Sequence, residues 1–117
     1  MKIKEITNFL EEIAPLHYQE TYDNSGLLVG DRENSVTGAL ITLDCTEDVV
    51  EEAILKNCNL IIAHHPIIFG SLNKITGKNY VERVIIKAIK NNISIYAIHT
   101  NLDNVYNGVN SKIAEKL

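Results

Sequence analysis

Cysteine is scarce in this chain, basic charge is in deficit and no apolar run is long; each shortage removes a class of protein. Cys45 and Cys58 are the only cysteines. Two thiols so far apart make neither a disulfide framework nor a Cys-x-x-Cys zinc site, and they read as reduced, small, buried apolar side chains of a cytosolic protein. Lys and Arg number 11 against 15 Asp and Glu, a net charge of −4 with both signs interspersed. No basic stripe argues for nucleic acid, and the acidic balance serves solubility. No apolar run approaches the roughly 18 residues of a membrane span. The start, Met1-Lys-Ile-Lys-Glu-Ile6, goes directly into helical spacing, unlike a signal peptide. There is no internal repeat and no low-complexity segment. A cytoplasmic protein away from membranes is expected.

What is present is globular. At 117 residues, 45% hydrophobic and 22% charged, the chain is expected to form one domain, 1–117, around one core of modest size. Ile3, Ile6, Phe9, Leu10 and Ile13 follow helical spacing up to a stop at Pro15. Tyr18 to Ser25 is polar, and Asn24-Ser-Gly26 reads as a turn before the apolar run Leu27-Leu-Val-Gly30. After a second polar loop, strands and helices alternate. A strand over 38–44 leads to a helix over about 46–57, with Thr46 as its cap and Glu47 and Asp48 complementing its dipole. A strand over 59–63 follows, apolar from Leu60 to Ala63 as expected where both sheet faces are covered. Pro66, Gly70 and Gly77 mark a loop, Asn79 and Glu82 a helix start, and Val81, Val84, Ile85, Ala88 and Ile89 an apolar helix face. A strand over 93–98 is third in the series, and Asn107-Gly108 opens a last helix with Val109, Ile113, Ala114 and Leu117 on its apolar side. This order predicts a three-layer α/β fold, a largely parallel sheet covered by helices.

Parallel strands open on one edge at their C-terminal ends, the usual site position in such folds. There the sequence places Asp44, then His64-His65-Pro66, then His99 followed by Asp103. Side chains alternate along a strand, so adjacent histidines converge only where the backbone turns, and Pro66 restricts His65 at that point. Imidazole suits zinc, iron, nickel and copper, and carboxylate also suits manganese and magnesium. His64 and His65 are therefore expected as metal ligands, with Asp103 supplying an oxygen that can bridge two ions. Two ions roughly 3.5–4 Å apart activate a water and polarise a phosphoryl or carbonyl oxygen. Asp44 reads first as a cap or turn residue before Thr46, with a role behind a metal-bound histidine as the alternative. His99 is balanced between a hydrogen-bonded core residue and a neighbour of the metal or substrate. Tyr22, Asp23 and Asn24 read as loop residues, Asp23 or Asn24 within reach of the crevice. His17 is expected on the surface, and Lys74 and Lys78 in a solvated loop from which they could contact an anionic substrate.

Ala63-His-His-Pro-Ile-Ile-Phe69, His99-Thr-Asn-Leu-Asp103 and Tyr22-Asp-Asn-Ser-Gly-Leu-Leu-Val-Gly30 resemble the three N-terminal signatures of the Nif-type dinuclear metal-centre family, whose members are also called GTP cyclohydrolase I type 2 homologues. By that resemblance His64, His65 and Asp103 match metal ligands and His99 a residue beside the centre. The resemblance implies an α/β fold, divalent ions (zinc, iron, manganese or nickel) at two per site in the complete family member, and a hexamer built from dimers. Family members are about twice as long, and a further His and Glu ligand come from a C-terminal motif. No His follows Asp103 here, and Glu115 lies outside any such motif. The chain also stops inside a helix-like pattern. It is therefore expected to be the N-terminal part of a longer family member, with one side of a two-metal site and apolar surface that favours self-association.

Two functions remain open at this level. One is a metal-dependent hydrolase using a metal-activated water on a nucleotide-like or other small molecule; no catalytic residue beyond the ligands is assigned. The other is a non-catalytic regulatory or ligand-binding module whose metal is structural or sensing.

Overall fold

The computed structural model describes residues 1–105; the helix expected over 107–117 lies outside them. Four strands make one sheet, β1 (Gly26–Val29), β2 (Ala39–Thr42), β3 (Leu60–Ala63) and β4 (Ser94–Ala97), in the order β1-β4-β3-β2. The pairs β2–β3 and β3–β4 are parallel and in register, Ala39 beside Leu60 and Leu60 beside Ser94. The short apolar run after the Asn24-Ser-Gly26 turn is thus a strand, and it pairs with β4 in the antiparallel sense. All three strands expected from periodicity are present, each trimmed at its ends.

Helices cover both faces. α1 (Ile3–Ile13) lies on one, where Ile3, Leu60 and Tyr96 are buried with Ile6, Leu10 and Ile62 packed on them. α2 (Glu47–Leu55) and α3 (Tyr80–Lys90) lie on the other, over Ile61, Ala63 and Ile95. Alternation along β3 explains the division: Leu60 and Ile62 face α1, Ile61 and Ala63 face α2 and α3. The caps are those the sequence indicates. Thr46 Oγ1 accepts from Val49 N, and Asn79 Oδ1 accepts from Glu82 N at 3.0 Å. The Glu82 carboxylate in turn accepts from the Thr76 and Lys78 amides, which ties down the loop before α3.

The apolar stripe of α1 is broader than the surface it covers. Phe9 and Ile13, expected to face the core, are 60% and 50% exposed. Ile41 on edge strand β2 stands beside Ile62 in register, so it shares the α1 face, yet it is 78% exposed. Among the described residues no helix is long and apolar enough to cross a membrane. Cys45 is buried and Cys58 partly buried, and both are free thiols; burial pushes the Cys45 thiol up to about 11.

Candidate metal centre

Because β2, β3 and β4 run parallel, their C-terminal ends deliver Asp44, His64-His65 and His99 to one edge. β1 is antiparallel, so its beginning is at that edge: Gly26 pairs with Ala97. The segment just before it, with Asp23, arrives beside His99. A single helical turn, α4 (Thr100–Asp103), follows His99 directly and carries Asp103 back over the edge.

His64 and His65 continue the backbone ladder, their amides donating to Thr42 O and Leu43 O, but the chain bends at both residues. That bend lets two consecutive side chains converge. The ring centroids of His64, His65 and His99 form a near-equilateral triangle, 5.2, 5.0 and 5.3 Å on a side. One nitrogen from each lies within 4.8 Å of the others, an arrangement able to hold a metal ion.

Each ring has an oxygen partner at Nδ1. His64 Nδ1 meets Ile98 O at 2.7 Å, His65 Nδ1 meets Asp44 Oδ1 at 2.6 Å, and His99 Nδ1 meets Asp23 Oδ1 at 3.2 Å. An oxygen acceptor at Nδ1 requires N–H there, which leaves Nε2 with its lone pair. Oxygen partners behind neutral imidazoles characterise metal-binding histidines. Asp103 Oδ1 stands 3.6 Å from His64 Nε2, adding a hard oxygen to the nitrogens. The donor set therefore fits a borderline divalent ion. The Cys45 thiol is outside this cluster.

The other expected residues fall out unevenly. Asp44 lies behind His65, while the helix cap is Thr46 alone. Asn24 turns its amide to Ile68 O at 2.9 Å, pinning the loop after Pro66. His17 is exposed in a short 3₁₀ turn, Leu16–Tyr18, and Lys74 and Lys78 are exposed. Beside His65 a cleft of about 260 Å³ is lined by Asp44, Cys45, Thr46, Pro66, Ile67 and Tyr80. It shares Pro66, Ile67 and Tyr80 with a second cleft of about 260 Å³ formed by the 66–72 loop and the start of α3.

The residue with the densest bonding is one the sequence placed in a loop without a partner. The Asp23 side chain is 0% exposed. It accepts from Asn24 N, Thr100 N, the Thr100 hydroxyl, the Ser25 hydroxyl and His99. Burial by itself would raise its pKa; the donors from Thr100, His99 and Asn24 outweigh burial and hold it at about 2, against 3.8 ordinarily. A carboxylate depressed in the fold stabilises it above the unfolded value and ceases to do so as pH falls through the folded one. The metal-free protein is therefore expected to lose about 2 kcal/mol from this group between about pH 4 and pH 2. Urea denaturation of the protein and its Asp23→Asn variant over that range measures it: the difference in stability between them should shrink on acidification, and a constant difference would refute the assignment.

Comparison with known proteins matches the chain over its whole length. The model of the family described as Duf34/NIF3 (NGG1p interacting factor 3) matches residues 1–117. A Clostridium acetobutylicum protein named GTP cyclohydrolase 1 type 2 homolog is 50% identical over 117 residues, all of this chain and 44% of the relative. The crystal structure of Staphylococcus aureus protein SA1388 matches with a TM-score of 0.92 at 43% identity, covering 98% of this chain and 37% of that one. Reduced HcgD from Methanocaldococcus jannaschii matches with a TM-score of 0.90 at 34% identity, over 98% of this chain and 46% of the other. The chain thus spans less than half the length of these relatives.

Proposed function

The chain belongs to the Duf34/NIF3 family, and from that premise and its histidine cluster we propose that it carries one side of the metal centre of a metal-dependent hydrolase. The observation that supports this most is the common arrangement of His64, His65 and His99: every Nδ1 has an oxygen partner, and one nitrogen of each ring lies within 4.8 Å of the others. In this reading His64, His65 and Asp103 are the ligands. His99 faces the same space as a hydrogen-bonding neighbour of water or substrate. Asp44 and the Ile98 carbonyl set the rings of His65 and His64, each accepting from the Nδ1 side. A divalent ion bound there supplies Lewis acidity, activating a water and polarising the oxygen next to the attacked atom. A second ion depends on ligands that the resemblance places in the C-terminal part of longer family members.

The clefts beside His65 give a small planar molecule a place next to the centre, with Tyr80 on their shared wall. The relatives' name makes purine nucleotides, GTP first, the substrates to screen. The same reading includes a cytoplasmic homo-oligomer formed through the apolar face that carries Ile41, which sedimentation would register as a species larger than a monomer.

The test is elemental analysis of the purified protein, followed by turnover assays after loading with zinc, iron, manganese or nickel. Metal uptake with hydrolysis of a nucleotide, lost on chelation, is the expected result. Stoichiometric metal with no turnover on any nucleotide would leave a binding or sensing site and end the hydrolase reading. No uptake at all would end both.

A further inference from the structure

Thr100, at the first position of α4, has no helical partner for its amide, and the residue before it, His99, provides no side-chain cap. Such orphaned donors need an acceptor. The acceptor comes from 77 residues away in sequence: Asp23 Oδ2 takes the Thr100 amide at 2.9 Å and also the Thr100 hydroxyl. That hydroxyl in turn accepts from Glu20 N at 2.8 Å. The other Asp23 oxygen takes His99 Nδ1 at 3.2 Å. One fully buried carboxylate therefore touches both the ring of His99 and the start of the turn that ends in Asp103, whose amide bonds to His99 O at 3.1 Å.

We infer that Asp23 is a positioning residue for the metal centre: it sets the tautomer and orientation of His99 while capping the turn that presents Asp103 to His64. This rests on the proposed metal site and adds the residue that assembles its far side. A loop carboxylate with a purely structural role would need only the backbone bonds. The bond to an imidazole nitrogen is additional, and it reproduces at His99 what Asp44 does at His65. The two carboxylates reach the centre from opposite ends of the sheet order, one from the start of β1 and the other from the end of β2.

Asp23→Asn separates the roles. The amide oxygen can still accept from Thr100, but its NH₂ cannot accept from His99 Nδ1–H. The ring then carries its proton on Nε2, as happens when the carboxylate of a serine-protease triad becomes an amide. Three measurements on the metal-free and Co²⁺-titrated protein test this: the ¹⁵N shifts of His99, the Co²⁺ affinity and spectrum, and the melting temperature. Val84→Ala, a substitution in the buried cluster under α2 and α3, serves as a destabilised control. The expected result for Asp23→Asn is a His99 proton moved to Nε2, where an N–H beside the ion opposes its charge, and Co²⁺ binding weakened about tenfold, the low end for a partner behind a metal site, with neither change in Val84→Ala. A His99 tautomer and Co²⁺ affinity matching those of Val84→Ala would overturn the inference and leave Asp23 a loop brace. Should the unaltered protein bind no Co²⁺, the metal reading fails by itself. The nitrogen shifts still decide whether Asp23 sets His99.

Discussion

Replacing His64 and His65 together with alanine is expected to abolish metal uptake while leaving the fold intact. Both rings stand at the edge of the sheet and not in its core: the His64 side chain is 20% exposed and that of His65 46%. Removing them deletes one hydrogen bond each, to Ile98 O and to Asp44, which costs about 1 kcal/mol apiece at most sites. The effect on binding is much larger. Loss of a single partner behind a ligand already costs roughly 10–100-fold in affinity, and here two donors go at once, leaving only His99 and Asp103 near the site. A fall of more than about 100-fold in Co²⁺ affinity is therefore expected on that scale, with metal content after dialysis near zero and a far-ultraviolet dichroism spectrum unchanged. Affinity within a few-fold of the unaltered protein would show that the ligands lie elsewhere.

The second large effect is on stability. Gly30→Ala should destabilise the domain by about 4 kcal/mol, combining the ~1–3 kcal/mol of an unfavourable backbone conformation with the ~1–3 kcal/mol of overpacking. Gly30 follows β1 directly with φ at +120°, and a Cβ there would stand 2.1 Å from Ser94 Oγ and 2.8 Å from Ser94 Cα. Rotating the serine side chain relieves only the first clash. The second is with the backbone of β4, a central strand held by β1 on one side and β3 on the other, so the edge strand must move. A domain with roughly 5–15 kcal/mol in hand would lose a large part of it. Gly26→Ala is the internal comparison. It has a similar φ of +115°, but a Cβ there meets only Leu16 methyl groups at 3.5 Å and beyond, so the backbone term alone applies. Equilibrium urea denaturation of the two variants reads the difference, and equal losses would show that the approach to Ser94 is not what requires glycine at 30.

Gly30 also shows where local reading of the sequence stops. The run Leu27–Gly30 is visibly apolar, but its pairing with β4 and its antiparallel sense depend on contacts some 70 residues away. The strands over 60–63 and 94–97 were legible because burial on both faces makes them apolar but for Ser94. α2 and α3 were legible from their period and from caps supplied within a few residues, at Thr46 and Asn79. Phe9 and Ile13 misled for the same reason: spacing reports which side of a helix is apolar, not whether anything covers it. The turn Thr100–Asp103 has no signal of its own, since its cap is Asp23.

The candidate site divides in the same way. His64, His65 and Asp103 were legible in the sequence as candidate ligands because the chemistry of a metal centre restricts residue type, and because parallel strands send every C-terminal end to one edge. The partners of those residues were not. Asp44 read first as a cap, with a place behind a histidine as the alternative, and is bonded to His65; Asp23 read as a loop residue within reach of the crevice and bonds His99 and Thr100; His99 closes the triangle of rings. The sequence by itself determined the alternation of strands and helices, the caps and the ligand types, because each depends on a residue and its near neighbours in the chain. The tertiary structure alone decided the direction of β1, the meeting of Asp23 with His99, and the convergence of three imidazole rings, because hydrogen-bond partners are chosen by distance in space.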